Sequence, residues 1–519
     1  MYILLLYSSA QAGDSMTVQR GKTDNSSGEG TSSNTDGSQQ ETEGGEPQDD
    51  VTIADDATLR MKKEIGLFSG MAFIVGSIIG SGIFISPRGV LEGTGSVGAS
   101  LLVWLACGLI SMAAGLCYTE LGTMIPLSGA EFSYLKESLG SFPAFLSVWI
   151  DIVLSRTSSQ AVLALTFSKY ALAPMFDVCG PPEYLLKMTA SAVILTVAIV
   201  NCKSAALATR VQVIFTLIKL SALVIIIIGG IVKLAQGNTQ YLSTGFEGSD
   251  TNPSAIAQAF YNGLWAYTGW SSLNYLTEEL INPNVNLPRA ILFSVPLVIV
   301  VYLLTNISYF TVLSKEMLLD APAIAVSWGD HVLGPVSTVI PLAVACSTFG
   351  TLNSSCFSGA RMSYVAGREG HFPNVLSYIH VHQLTPWCSL IFTTVVALGM
   401  VIPGDLGILI NFISFTSWLI YGLTFGGLIV MRFTRKDWER PYKVPIVIPA
   451  VLVLVCAYLV MAPVIQNPQI EFLYAILFVF SGLFYYVPFV YFKLRMSCMD
   501  PLIMWAQLYL QVAPSKVKP

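Results

Sequence analysis

The sequence predicts an all-α integral membrane protein with twelve transmembrane helices, and three observations support this fold class. Of the 519 residues, 53% are apolar and 11% are charged, and the mean hydropathy is +0.64, which excludes a soluble globular chain. Twelve apolar runs each have a length close to the roughly 20 residues that a helix needs to cross a bilayer. Two of these runs, the first and the sixth, are interrupted by glycines.

The predicted spans follow one another with short loops and together make one domain over residues 65–492. They cover residues 66–91, 97–119, 142–172, 185–202, 210–234, 255–279, 289–313, 333–366, 386–402, 405–431, 446–465 and 470–492.

Two polar tails flank this domain. Residues 11–60 are rich in Ser, Gly, Thr, Asp and Glu, so we expect 1–64 to form a disordered tail. Lys and Arg concentrate in the loops on the side of this tail, which makes it and the C-terminal tail 493–519 cytosolic and the loop 173–184 extracellular. The apolar opening Met1–Tyr7 is open to two interpretations, a short signal-peptide core or an alternative start of translation.

Composition also argues against several partners and reactions. No basic patch with interleaved aromatics suggests a nucleic-acid partner, and no His/Cys spacing suggests a metal or another cofactor. A membrane receptor or enzyme is an alternative function, but the four histidines lie in predicted loops or at helix ends, where we expect solvated side chains.

The two glycine-interrupted segments are Gly76–Phe84 and Asn262–Trp270. Each begins a set of about five runs, which predicts repeats over residues 65–234 and 255–432, with helices eleven and twelve following to 492. Within lipid, unwound backbone is tolerated only where it is buried in protein or lines a cavity. Matched breaks in two halves are typical of inverted-repeat transporters. The alternative is that the small residues only let helices pack closely.

The chemistry of such breaks indicates an amino acid ligand. Unwinding before the second half of the first helix would leave the amides of Ser81, Gly82 and Ile83 free to bind a carboxylate. Unwinding in the second segment would leave the carbonyls of residues 265–267 free for an ammonium group. Both groups together describe a free α-amino acid.

Two basic residues lie within predicted spans. Lys219 is about nine residues into an apolar run, too deep to reach an interface easily, so we expect a functional ammonium near the first break. There it could take the place of a sodium ion. Arg156 could form an ion pair with Asp151 or face the substrate path, and the pair is the favoured alternative.

Cys179 differs from most of the other cysteines because it falls in the predicted outer loop. An unpaired extracellular cysteine suggests an intermolecular disulfide, with a free thiol as the alternative. The sequons at Asn25, Asn306 and Asn353 lie in the cytosolic tail or in spans, so none should be glycosylated.

At these residues the chain resembles the L-type amino acid transporter family, the light subunits of heteromeric amino acid transporters in the amino acid–polyamine–organocation superfamily. The resemblance covers about residues 60–495 and is most similar to the b(0,+) type, which exchanges cystine and cationic amino acids for neutral ones. The motifs that carry it are Gly80–Phe84, Glu120–Thr123, Ala208–Gln212, Asn274–Glu279 and Gly367–His371, together with Tyr261–Tyr267, Leu234–Thr239 and Met431–Lys436.

The resemblance implies a LeuT-like fold of 5+5 inverted repeats with helices 1 and 6 broken, and sodium-independent exchange. It also implies a disulfide from Cys179 to a single-span, glycosylated heavy chain. Lys219 matches the lysine that replaces sodium. The substrate-binding residues implied by the breaks and the resemblance are Ile79, Gly80, Ser81, Gly82, Ile83, Trp265, Ala266, Tyr267, Thr268, Ser271 and Trp418.

One residue departs from the b(0,+) pattern. Thr268 stands where that type has an aspartate, which would pair with a cationic side chain. Losing one member of such a buried pair costs about 3–5 kcal/mol. We therefore predict a plasma-membrane exchanger that favours neutral amino acids, with the full b(0,+) specificity as the alternative.

Overall fold

The fold is described from a computed structural model. It describes residues 65–127, 129–176, 180–321, 323–383, 385–403, 406–466, 470–494 and 500–514. The predicted tail 1–64 and Cys179 lie outside these residues.

The described chain is almost entirely helical. The α-helices are α1 (Leu67–Ile78), α2 (Gly82–Thr94), α3 (Val97–Met124), α4 (Glu131–Ser138), α5 (Ser141–Ile150), α6 (Arg156–Leu172), α7 (Glu183–Lys203), α8 (Ala205–Ala235), α9 (Pro253–Ala266), α10 (Pro283–Phe310), α11 (Lys315–Asp320), α12 (Ile324–Leu333), α13 (Val339–Arg368), α14 (Trp387–Val401), α15 (Leu406–Thr434), α16 (Val447–Gln466), α17 (Ile470–Tyr485) and α18 (Asp500–Leu510). Two π-helical segments cover Asp151–Ser155 and Tyr486–Tyr491, and 3₁₀ turns cover Ala173–Met175, Ser272–Glu279, Gly334–Val336 and Asn374–Ser377.

Among the described residues, eight helices are long and apolar enough to cross a membrane. They are Val97–Met124, Glu183–Lys203, Ile214–Ala235, Pro283–Phe310, Val339–Arg368, Leu406–Thr434, Val447–Ile465 and Leu473–Tyr491. The pair α1 and α2, bent by 50°, counts as a ninth when taken as one broken span. The all-α membrane architecture and the break in the first helix are thus confirmed.

The remaining three predicted spans are interrupted or short in the described chain. The third contains the π-helical segment Asp151–Ser155 between α5 and α6, the sixth loses its α-helix after Ala266, and the ninth is the 15-residue helix α14. The count of twelve and the inverted repeat therefore stay predictions.

Helix α10 joins the two broken segments. It packs against α1 and α3 and also contacts α8, while α2 packs along α9. The shared core includes Trp104 from α3, Tyr267 from the second break and Tyr302 from α10, all with no exposed surface. Large apolar side chains on outer faces stay exposed, such as Val395 on α14 and Phe484 on α17, as expected for surfaces that meet lipid.

The C-terminal segment packs on the loop after α13. Strand β2 (Val512–Pro514) pairs antiparallel with β1 (Tyr378–His380), and Val512 is buried with Ala506 of α18 and Cys388 of α14. The predicted tail 493–519 therefore contains a helix and a strand docked on this loop.

Two of the histidines correct the sequence prediction. His371 and His380 are buried rather than solvated, whereas His331 and His382 are exposed. His371 packs edge-on against Phe132, with ring centroids 4.9 Å apart. Burial, with a smaller contribution from the nearby charge of Lys136, lowers the pKa of His371 to about 4.

An ion network joins α3, α15 and the loop that follows α15. The side chain of Glu120 has no exposed surface, and its two oxygens accept hydrogen bonds from Arg432 Nε at 3.1 Å and Nη2 at 2.5 Å. The backbone amide of Val444 donates to Oε2 at 2.9 Å, and Arg440 Nε lies 3.6 Å from Oε1. Arg432 also donates to the Val444 carbonyl. A buried carboxylate requires such compensation.

We predict that Arg432→Met destabilises the protein, because it leaves a buried carboxylate with Arg440 as the remaining cation. Breaking a buried pair from one side costs about 3–5 kcal/mol. The measurement is the midpoint of thermal unfolding of the purified chain in detergent, with the exposed Lys436→Met, in the loop that follows α15, as the control. Removing both charges by Glu120→Gln with Arg432→Met should recover part of the loss. Equal midpoints for Arg432→Met and Lys436→Met would contradict this role.

Candidate functional site

The first break leaves a row of backbone donors at the start of α2. Helix α1 ends at Ile78 and α2 begins at Gly82, so Ile79, Gly80 and Ser81 form the unwound connection. The carbonyl of Ser81 accepts the amides of residues 84 and 85 at 3.0 and 3.2 Å. The amides of Ser81, Gly82 and Ile83 find no backbone acceptor in the described chain. They lie at a helix N-terminus, which favours an anionic group.

The second break contains carbonyl oxygens at the end of α9. The Trp265 carbonyl accepts the amide of Thr268 at 3.0 Å, and the Ala266 carbonyl accepts the Tyr302 hydroxyl at 3.0 Å. The Tyr267 carbonyl has no hydrogen-bond donor among the described residues. Two of the three carbonyls expected to be free thus already accept one bond, and each keeps one lone pair for a ligand.

The two breaks touch each other, and two glycines make this contact possible. A Cβ on Gly82 would lie 2.4 Å from the Ala266 Cα. Gly269, with φ at +116°, would place a Cβ 2.8 Å from the Ser77 carbonyl carbon. The backbones of the two broken segments are therefore in direct contact at these two glycines.

Tyr302 on α10 connects the two breaks. Its buried hydroxyl lies 2.9 Å from the Ile78 carbonyl and 3.0 Å from the Ala266 carbonyl, the last residues of α1 and α9. Its ring packs on Tyr267 and Trp104, with centroids 5.0 and 5.6 Å away. Sequence reasoning missed this residue. The available signal was a tyrosine within an apolar run, whose hydroxyl must find a partner when buried.

Lys219 caps the end of α1. Its side chain is 1% exposed, and Nζ donates to the Gly76 carbonyl at 2.6 Å. Gly76 lies in the last turn of α1, where carbonyls lack the helical donor four residues ahead. The structure thus places an ammonium group beside the first break, at the negative end of the half-helix.

The predicted side-chain pocket is only partly assembled. Thr268 is exposed and its hydroxyl donates weakly to the Leu264 carbonyl at 3.4 Å, while Trp265 is half-buried and Ser271 is buried. Trp418 contacts Tyr421, with ring centroids 5.4 Å apart.

Tyr421 in turn contacts Trp270 at 5.3 Å. The rings of Tyr421 and Trp270 therefore connect Trp418 with the second break. No ring contact among the described residues joins Trp418 directly to Trp265.

Arg156 forms the favoured ion pair. Its Nε lies 3.2 and 3.1 Å from the two carboxylate oxygens of Asp151, and Nη1 donates to Ser358 at 3.1 Å. The guanidinium stacks over the ring of Tyr275 at 5.3 Å, and the Tyr275 hydroxyl donates to Glu131 Oε2 at 2.6 Å.

Across the described part of the chain, no group of three or more His, Cys, Asp or Glu side chains is arranged to hold a metal ion. The polar groups at the breaks are backbone amides and carbonyls, a tyrosine and a lysine. This arrangement suits binding of a zwitterion.

Comparison with known proteins agrees with this geometry. Residues 65–490 match the amino acid permease family. The chain is 48% identical to b(0,+)-type amino acid transporter 1 of Homo sapiens, over 91% of this chain and 98% of that protein. It is 45% identical to large neutral amino acids transporter small subunit 2 of Mus musculus, over 79% of this chain and 78% of that protein. The chain therefore belongs to the amino acid permease family, among the light subunits of b(0,+) and L-type transporters.

Proposed function

We propose that this protein is a sodium-independent exchanger of amino acids at the plasma membrane and favours neutral substrates. The observation that carries the proposal is the contact between the two breaks, one with amides that lack a backbone acceptor and the other with carbonyl oxygens at the end of α9. Membership of a transporter family supports amino acid transport as the activity of this site.

The substrate backbone binds between the breaks in this proposal. Its carboxylate accepts hydrogen bonds from the amides of Ser81, Gly82 and Ile83, next to Ile79 and Gly80. Its ammonium donates to the Tyr267 carbonyl and to the free lone pairs at Trp265 and Ala266. Each hydrogen bond to a charged group contributes about 1.5–3 kcal/mol, so backbone contacts alone suffice to hold an α-amino acid.

The proposed sodium independence rests on side-chain hydrogen-bond donors that are fixed beside the two breaks. Lys219 holds the Gly76 carbonyl and Tyr302 holds the carbonyls that end α1 and α9. Unwound carbonyls of this kind otherwise attract a coupling cation. Side-chain donors in these places leave no vacant cation site for sodium to fill.

Substrate choice depends on the side-chain pocket of Trp265, Thr268, Ser271 and Trp418. Thr268 supplies a hydroxyl and no carboxylate, which favours uncharged side chains. The second candidate is exchange of cystine and cationic amino acids for neutral ones, and the similarity to b(0,+)-type transporter 1 supports it.

The proposal includes a partner. Cys179 falls in the loop before α7 and would form a disulfide with a single-span, glycosylated heavy chain. The sequon asparagines Asn306 and Asn353 are buried, so this chain would reach the cell surface either unglycosylated or with a glycosylated partner, and the proposal takes the second alternative. Both termini are cytosolic in this proposal, and in epithelia the complex would lie at the apical membrane.

We predict that Thr268→Asp raises uptake of cationic amino acids relative to neutral ones, because it supplies the missing counter-charge. In the wild type, excess arginine should inhibit labelled leucine uptake about tenfold less potently than unlabelled leucine, since the pocket lacks a carboxylate and one hydrogen bond to a charged group contributes about 1.5–3 kcal/mol. Thr268→Asn is the control of equal size without charge. Equal inhibition by arginine and leucine in the wild type would contradict the neutral preference and support the b(0,+) candidate.

Replacing sodium by choline should leave leucine uptake unchanged. Lys219→Ala should reduce uptake in both media, because sodium does not restore the contact that Lys219 makes with Gly76. Lys233→Ala, at the other end of α8, is the control. A steep dependence of wild-type uptake on sodium would show that the Gly76 carbonyl and its neighbours still require a mobile cation.

Non-reducing electrophoresis of native membranes should show this chain in a band larger by the mass of a glycoprotein. Cys179→Ser should abolish the band, whereas Cys346→Ser, within α13, should retain it. Some transport should survive in Cys179→Ser because noncovalent contacts remain. A monomeric wild-type band without reductant would contradict the proposed linkage.

A further inference from the structure

A small cavity lies next to the inner half of the second broken segment, on the side of the membrane where α1 begins. That side is cytosolic in the proposed topology. The cavity has a volume of about 40 Å³. Its polar lining comes from Glu131, Asp151 and Ser155, from Tyr275, and from Ser417 on α15.

One carboxylate in this cavity lacks a counter-charge. Glu131 is 7% exposed, and its Oε2 accepts the Tyr275 hydroxyl at 2.6 Å. Its Oε1 is buried and has no hydrogen-bond partner among the described residues. Burial also raises the pKa of this carboxyl above its ordinary value. A buried carboxylate with one free oxygen requires a further donor.

The neighbouring charges do not supply that donor. Arg156 is committed to Asp151, at 3.1 Å from Oδ2, and to the Ser358 hydroxyl, so this pair is neutral. Lys136, on the same helix as Glu131, is exposed, and its Nζ lies 5.8 Å from the centroid of the Phe132 ring. When Glu131 is ionised, the group formed by Glu131, Asp151 and Arg156 therefore carries one negative charge in excess.

The cavity is also close in the chain to the residues of the proposed side-chain pocket. Tyr275 follows Ser271 by four residues in a 3₁₀ segment, which corresponds to about 8 Å along the axis. Ser417 is the chain neighbour of Trp418. Asp151 and Arg156 keep 25% and 22% of their side-chain surface accessible to a molecule of the size of water, so this region is not closely packed.

We propose that Glu131 and Asp151 form a second subsite, which binds the positively charged side chain of an amino acid that enters or leaves on the cytosolic side. The inference rests on the proposed function and extends its substrate range on this side. A cationic head group neutralises the excess charge and donates to Glu131 Oε1. A proton on Glu131 would also neutralise it, but would not require a cavity of this volume beside it.

This subsite makes recognition different on the two sides of the membrane. At the breaks, Thr268 offers no charge to a cationic side chain. In the inner cavity, the same side chain meets a carboxylate with a free oxygen. Cationic amino acids would therefore be recognised better as cytosolic substrates than as extracellular ones.

The test measures efflux from oocytes that express the full chain together with a single-span, glycosylated heavy chain, because injected amino acids meet the protein from the cytosol. Labelled arginine or leucine is injected at several concentrations, and external leucine drives exchange. For each amino acid, the injected concentration that gives half-maximal efflux is determined. In Glu131→Gln, the ratio of this concentration for arginine to that for leucine should rise about tenfold or more, because one charge-assisted hydrogen bond to arginine is lost. The amide keeps an acceptor for the Tyr275 hydroxyl.

Two further variants separate charge from folding. Glu131→Asp keeps the charge and should shift the ratio less than Glu131→Gln. Glu137→Gln removes a carboxylate from the same helix outside the cavity and should keep the wild-type ratio.

Equal shifts for arginine and leucine in Glu131→Gln would show a structural role and overturn the proposal, as would absent arginine efflux in the wild type. Leucine efflux that follows cytosolic pH in the wild type but not in Glu131→Gln would assign the site to a proton and also overturn it. Absence of leucine-for-leucine exchange in the wild type would contradict the proposed function itself.

Discussion

The structure depends on one constraint, that backbone donors and acceptors within a bilayer must be satisfied by the protein. Two interrupted helices create several unsatisfied groups at once. The chain satisfies the Gly76 carbonyl of α1 with Lys219, and the single hydroxyl hydrogen of Tyr302 is shared between the Ile78 and Ala266 carbonyls that end α1 and α9. The amides at the start of α2 receive no such partner in the described chain. The protein thus supplies donors to its own carbonyls and leaves its amides to a ligand.

Buried charge is handled differently at three places. Glu120 receives two arginines and a backbone amide, and Asp151 receives Arg156. Glu131 receives a single tyrosine hydroxyl. The first two are compensated as buried charges in stable proteins must be. The third is undercompensated, which is more typical of a binding site than of a scaffold.

Glycine patterns and intramembrane charge carried much of the sequence prediction. Gly80 and Gly82 indicated the first break, and Gly263 and Gly269 the second, because glycine is costly in a helix unless the backbone must unwind or approach closely. Lys219 was recognisable because a charge deep in an apolar run is rare.

Other features had no such signal. Tyr302 lies in an apolar run where its role depends on carbonyls brought near by folding. His371 looked like a solvated loop residue, yet aromatic rings from α4 and α5 cover it. The separation of Trp418 from the second break depends on Tyr421, which only the packing of α15 reveals.

The Glu120 network has a mechanical consequence. Arg432 at the end of α15 and Glu120 near the end of α3 are held by two hydrogen bonds, and the following loop is bound to the same carboxylate. The ends of these two helices therefore form a strut that resists separation. Any opening toward this side must come from elements outside the strut. The ends of α3 and α15 would therefore move together, as one body, in any such opening.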